Sequence, residues 1–183
     1  DYDQAKGYHK EALQLRRGLA AKDAKTYNPD LATSLNNLGA VYDNMKRYEE
    51  AEECYTEALD IYRELAGTNP QAYNPNVAMA LNNLGNLYAN KTEPDYAKAE
   101  VYYKECLEKC RSLAAEHPQA WNPDVADTLA NMAVFYQYKV PNKELSIRHA
   151  EEAIEILDRC SDTPYVNAAR GRANAVLEEW EDR

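Results

Sequence analysis

The sequence of 183 residues is short of several things: it has one Phe, two Trp, three His and six Gly. The scarcity of Gly and that of His each close off a class of function. The glycines are scattered, so no glycine-rich loop is present to cradle a phosphate. His9, His117 and His149 are far apart and on different elements, so no zincin-type pair exists. Positive charge is scarce too: 21 Lys and Arg stand against 31 Asp and Glu, a net charge of −10. Nucleic acid and anionic membrane both demand a basic footprint, and neither is an expected partner. No apolar run approaches the roughly 20 residues of a membrane-spanning helix. The opening residues do not read as a signal peptide, and the start at Asp1 reads as a cut from something longer. Four cysteines, Cys54, Cys106, Cys110 and Cys160, do not make a disulfide framework in a chain of this size, so a reducing, cytoplasmic location is expected.

What is abundant is tyrosine, 15 residues of it, and repetition. "TYNPDLATSLNNLGAVY" (Thr26–Tyr42) returns as "AYNPNVAMALNNLGNLY" (Ala72–Tyr88) and as "AWNPDVADTLANMAVFY" (Ala120–Tyr136), at offsets of 46 and 48. A second phrase alternates with it. "YDQAKGYHKEALQLRRGLA" (Tyr2–Ala20) matches "YEEAEECYTEALDIYRELA" (Tyr48–Ala66) and "YAKAEVYYKECLEKCRSLA" (Tyr96–Ala114), with a weaker copy over Asn142–Cys160. Repeats at such a period indicate stacked supersecondary units.

Both phrases carry helical period. Leu35, Leu38, Gly39 and Tyr42 fall at i, i+3, i+4, i+7, and Tyr48, Ala51, Tyr55, Ala58, Leu59 and Tyr62 form the matching stripe. Asn28, Asn74 and Asn122 each precede a proline, which predicts an N-cap followed by Pro at the first helical position. On that register Asp30 and Asp124 place negative charge in the first turn, and Tyr27, Tyr73 and Trp121 staple the entry. Gly67 with Asn69-Pro70, His117-Pro118 and Pro141-Asn142 mark the breaks. The tail, Thr163–Asp182, puts Val166, Ala169, Ala173, Val176, Leu177 and Trp180 on one stripe and reads as a closing helix.

The spacing Leu35-x2-Leu38-Gly39-x2-Tyr42, followed by Ala51-x3-Tyr55 and Ala58, resembles the tetratricopeptide repeat. Leu81, Leu84, Gly85, Tyr88, Ala99 and Tyr103 repeat it, and Leu129, Met132, Ala133 and Tyr136 keep half. The period departs from the family's usual one of about 34 residues, and Arg63 stands where a proline usually ends the second helix. The long period and the "NPDLA…LNNLG" phrase resemble the kinesin-light-chain type of repeat, widespread in bacterial multidomain proteins. The resemblance implies an all-α fold, an α-solenoid of antiparallel helix pairs forming a right-handed superhelix. It divides the chain into a second helix of a truncated repeat (1–22), repeats at 27–67, 73–116 and 121–161, and a capping helix at 162–183, as one continuous domain.

The resemblance also implies that the first helix of each pair lines a concave groove. The residues opposite the apolar stripe are Thr33, Asn37, Ala40 and Asn44; then Met79, Asn83, Asn86 and Asn90; then Asp127, Asn131, Val134 and Tyr138. None is Lys or Arg, so capture of a C-terminal carboxylate by basic groove residues, a use known in the family, is not expected. Asparagine offers an acceptor and two donors on a short side chain, which matches a peptide backbone. Each mid-helix asparagine costs roughly half a kcal/mol against alanine. The functional reading is that Asn37, Asn83 and Asn131, with Asn44, Asn86 and Asn90, hold an extended peptide or partner protein. Met79, Val134 and Tyr138 select its side chains. On this reading Asn83→Ala weakens binding with little effect on melting temperature. The plainer reading is that the amides brace neighbouring helices, and Asn36 and Asn82, turned about 100° from the row, are expected to do so.

No catalytic constellation, metal site or cofactor motif emerges, so the chain is not expected to be an enzyme. Cys106 and Cys110, at i and i+4, occupy the positions of Ala58 and Tyr62 in the preceding repeat, and read as packing. The alternative functions are self-association, through an N-terminal edge left open by the half repeat, or service as a spacer or sensor segment in a larger signalling or protease protein.

Overall fold

The computed structural model describes residues 13–182. Every regular element among them is helical: α1 (residues 13–20), α2 (Ala24–Asn44), α3 (Tyr48–Thr68), α4 (Pro70–Asn90), α5 (Tyr96–Glu116), α6 (Pro118–Tyr138), α7 (Lys143–Leu157) and α8 (Pro164–Glu181). The start of the Tyr2–Ala20 phrase lies outside the described residues. The chain divides into two compact units between Asp95 and Tyr96. In the first, α2 packs on α3 and α3 on α4; in the second, α5 packs on α6, α6 on α7, and α8 on both α6 and α7. Within each unit this is the neighbour-on-neighbour packing of a helical-repeat solenoid.

The helices begin earlier than the Asn-Pro signals predict. The N-caps of α2, α4 and α6 are Asp23, Asn69 and His117, not Asn28, Asn74 and Asn122. Asp23 accepts a hydrogen bond from the Thr26 N–H (3.2 Å) and Asn69 from that of Ala72 (3.2 Å). Pro70 and Pro118 then take the first helical positions, where a missing N–H is harmless. Pro29, Pro75 and Pro123 fall inside their helices. Each deprives the carbonyl four residues back, on Lys25, Gln71 and Gln119, of its helical donor. All three of those residues are exposed, so water can serve the carbonyls and the helices continue through the prolines. Asp30 and Asp124 are therefore not in a first turn, and Tyr27, Tyr73 and Trp121 are fourth helical residues, half-buried, rather than residues before the cap.

The apolar stripes meet as the period predicts. Leu35, Leu81 and Leu129 are fully buried, as are Ala51, Ala58 and Ala99. Each buried leucine contributes on the order of 2 kcal/mol. The signature tyrosines bury their rings and spend their hydroxyls on the preceding second helix: Tyr88 donates to Glu52 (2.6 Å) and Tyr136 to Glu100 (2.7 Å). In the second unit Phe135 makes edge contacts with Tyr96, Tyr103 and Tyr136, at centroid distances of 6.1, 5.6 and 5.3 Å.

Close approach of α2 and α3 depends on Gly39. A Cβ there would lie 2.7 Å from Cδ1 of the Tyr55 ring, inside contact distance. Gly171, within α8, has nothing within 4 Å of the same point. Gly39→Ala is expected to destabilise by about 1–3 kcal/mol through overpacking, whereas Gly171→Ala stabilises by about 0.5–1 kcal/mol through backbone entropy. Thermal melts of the two variants beside the parent should move in opposite directions.

Candidate functional site

Of the nine candidate groove residues, Asn37, Asn44, Met79, Asn83, Asn86 and Asn90 lie in the first unit, and Asn131, Val134 and Tyr138 in the second. In the first unit the two adjacent asparagines of α2 have separate roles. Asn36 is 5% exposed. Its Oδ1 accepts from Asn83 Nδ2 of α4 at 2.9 Å, and its own Nδ2 lies 3.9 Å from Met79 Sδ. Asn37, one residue on, is exposed, and its side chain makes no hydrogen bond among the described residues. Met79 is 41% exposed beside this amide pair. Asn44 and Asn90, at equivalent places near the ends of α2 and α4, are exposed and donate back to the carbonyls of Ala40 (2.8 Å) and Asn86 (2.9 Å). Thr33 bonds to the Pro29 carbonyl (2.9 Å) and meets the Tyr62 hydroxyl (3.1 Å).

In the second unit the corresponding row is tied to α8. Asn131 donates to Asp127 Oδ2 (3.3 Å), and Arg172 of α8 pairs with the same carboxylate. Tyr138 is 54% exposed and bonds through its hydroxyl to Glu179 of α8. Tyr165 of α8 donates to Asp124 Oδ1 at 3.3 Å. Val134 is half-buried. Burial raises the pKa of Asp127 despite Arg172 beside it, and burial also raises that of Asp124, with the neighbouring Asp127 charge adding to the rise. Arg172, Glu179 and Tyr165 were not legible as partners of this row. They sit on a helix recognisable in sequence only by its apolar stripe, and side-chain pairing across two helices has no sequence period.

The remaining chemistry-bearing residues are structural in setting. Cys106 and Cys110 are 1% and 2% exposed, with Sγ atoms 3.5 and 4.0 Å from Thr128 Oγ1. Among the described residues no cysteine is in a disulfide, and no three His, Cys, Asp or Glu gather as a metal site. His149 is buried and stacked on Tyr136, and burial lowers its pKa. His117 is the N-cap of α6, and His9 lies outside the described residues. No helix among the described residues is long and apolar enough to cross a membrane.

The bond from Asn83 revises the expectation that its loss leaves stability unchanged. Asn83→Ala would leave the buried Asn36 oxygen without that donor, at a cost of about 1–3 kcal/mol. Asn37→Ala removes no bond and gains helix propensity, so it should be neutral or stabilising by roughly half a kcal/mol. Urea unfolding of the two variants measures the contrast.

A tetratricopeptide repeat family model matches residues 1–64 and again residues 30–112. Among curated proteins none matches. The crystal structure of BtubC (BKLC) from P. vanneervenii is similar to this chain at 18% identity and a TM-score of 0.49, over 100% of this chain and 90% of that one. The family matches together take in residues 1–112 of 183, and with the signature leucines, glycine and tyrosines packed as described, the chain belongs to the tetratricopeptide repeat family.

Proposed function

We propose that this chain binds an extended peptide segment of a partner protein on the amide-bearing face of α2 and α4. Tetratricopeptide repeats are protein–protein interaction modules built on a non-catalytic scaffold. The observation that carries the finer reading is Asn37: an exposed amide, in the middle of a helix that pays for it in propensity, with no bond of its own. Asn36 and Asn83 are committed to each other, so the donors and acceptors offered to a ligand come from Asn37 and from the outer groups of Asn44 and Asn90, with Asn86 beside them. Met79 provides an adaptable apolar contact for a side chain. The face is neutral, which suits main-chain recognition better than capture of a charged terminus. Rigid helices hold these groups in place, so the peptide bears most of the ordering cost.

A peptide selected from a displayed random library supplies the probe, and calorimetry the affinity. Asn37→Ala should weaken binding by about fivefold or more, the worth of one hydrogen bond, with no loss of thermal stability. Methylating one backbone nitrogen of the peptide at the matched position should do the same. Equal affinity of the parent and Asn37→Ala sinks this reading.

Self-association is the second reading, favoured by Leu15 and Leu19, which are 66% and 39% exposed at i and i+4 on α1. Sedimentation of the parent at rising concentration should then show mass increasing, and Leu15→Gln with Leu19→Gln should abolish the increase. A parent that stays monomeric at every concentration rules it out.

A further inference from the structure

In the second unit, a cavity of about 620 Å³ opens between the first two turns of α6 and the start of α8. Pro118, Asn122 and Asp124 form one wall, and Cys160, Thr163 and Tyr165 the other. We propose that this cavity receives a basic side chain, a guanidinium or ammonium group, from a partner polypeptide, with Asp124 as its counter-charge and the Tyr165 ring as its aromatic wall.

Asp124 carries the argument. It is half-buried, its partner is the Tyr165 hydroxyl at 3.3 Å, and no ion pair reaches it among the described residues. The one charge that acts on it is another carboxylate, Asp127, whose own cation is Arg172. A half-buried carboxylate beside a like charge, with no cation paired to it, is a place where an incoming cation gains free energy. Burial has raised the pKa of Asp124, in keeping with a charge whose compensation is missing. Tyr165 is 47% exposed, and its ring is available for a cation on its face. The neighbouring amide and hydroxyl oxygens of Asn122 and Ser161 add acceptors suited to the several N–H groups of a guanidinium.

Two features could instead favour an anion, and both are largely spent. Helix N-termini attract anions through open N–H groups. Here each helix starts with a proline, which has none. At α6 the N–H groups of Ala120 and Trp121 donate to the His117 carbonyl, and at α8 those of Val166 and Asn167 donate to the side chain and carbonyl of Thr163. Arg159, in the turn after α7 and on the cavity rim, pairs with Glu155 of α7 at 2.7 Å. The full charge of Asp124 outweighs what remains of these dipoles. The site is independent of the amide face of α2 and α4, and its test does not touch that face.

The probe is an acetylated, amidated Gly-Arg-Gly peptide titrated into the full chain and followed by amide chemical shifts. A control peptide carries citrulline, the same shape without the charge. Saturable shifts are expected at Asn122, Thr163 and Tyr165. Asp124→Asn should weaken binding about tenfold, and citrulline should weaken it similarly, as loss of a charge-assisted hydrogen-bonded pair requires. Glu151→Gln, which removes an exposed carboxylate of α7, should change nothing. Equal binding by parent and Asp124→Asn, equal binding of citrulline and arginine peptides, or unsaturable shifts spread over the acidic surface would each overturn the proposal. If Asp124→Asn fails to fold, the two peptides on the parent protein decide it.

Discussion

The packing of α2 on α3 hangs on an absent atom. With no Cβ at Gly39, the Tyr55 ring lies against the backbone of α2 at a distance no larger residue permits. That contact fixes how deep α3 sits. Depth in turn sets which residues of each helix are sealed. Leu35, Leu38, Ala51, Ala58 and Leu59 are then all at 2% exposure or less, and the mean cost of shifting any one of them is shared by its neighbours. Ala133, at the same place in the third repeat, tolerates its extra methyl. There the following helix brings smaller partners: Ala133 is fully buried and its carbonyl accepts from Ser146 Oγ of α7 at 2.9 Å. The same architecture is thus closed by aromatic contact in one unit and by a hydroxyl bond in the other.

Once the apolar stripe is sealed, the polar positions beside it face a stricter requirement. A residue turned by about 100° from the outer row lies in the seam with the neighbouring first helix, where an amide must find a partner or cost free energy. Asn36 meets that requirement through Asn83 and, more weakly, Met79. At the third repeat the seam residue is Ala130, fully buried, and the polar work moves one row out to Asp127, Asn131 and Arg172. Gln137 does not meet it: at 3% exposure, neither of its amide atoms has a partner among the described residues. An isolated buried amide of that kind lowers the stability of the second unit.

Helix existence and facing were readable because the apolar period survives in every copy. The helix starts were not, although the signal was present twice. Asn69-Pro70 and Asn74-Pro75 are both cap-and-proline pairs, five residues apart, and only the first begins α4. A proline at the sixth helical position looks like a start because its usual penalty is a stranded carbonyl. Here that carbonyl belongs to an exposed residue, Gln71, and the penalty is small. The amide row was legible as a set of positions but not as a set of bonds. Periodicity places Asn37 and Asn83 on the same face. It does not say that Asn83 reaches sideways to Asn36, because that depends on the distance between α2 and α4, which no single helix encodes. The Asn122-Pro123 signal places Asp124 in a first turn, where its charge would be compensated by the helix dipole. Its true place, a turn later, removes that compensation and leaves it against a cavity.

This displacement of Asp124 separates two kinds of surface within one repeat design. On the first helix of a pair, residues past the second turn are spaced by helical geometry alone, and they can present identical groups copy after copy. Amides suit such positions because they are neutral and indifferent to what their neighbours carry. The first two turns are different. They meet the loop and helix start that follow the second helix, so their surroundings change with each connection. A single residue, Asn69, joins α3 to α4, whereas six residues separate Leu157 from Pro164. The longer connection opens the cavity beside Asp124. A charged side chain can be selective in such a place because its surroundings occur once. If both proposed sites bind as argued, specificity in this chain has a repeated component set by the helices and a singular one set by the length of a loop.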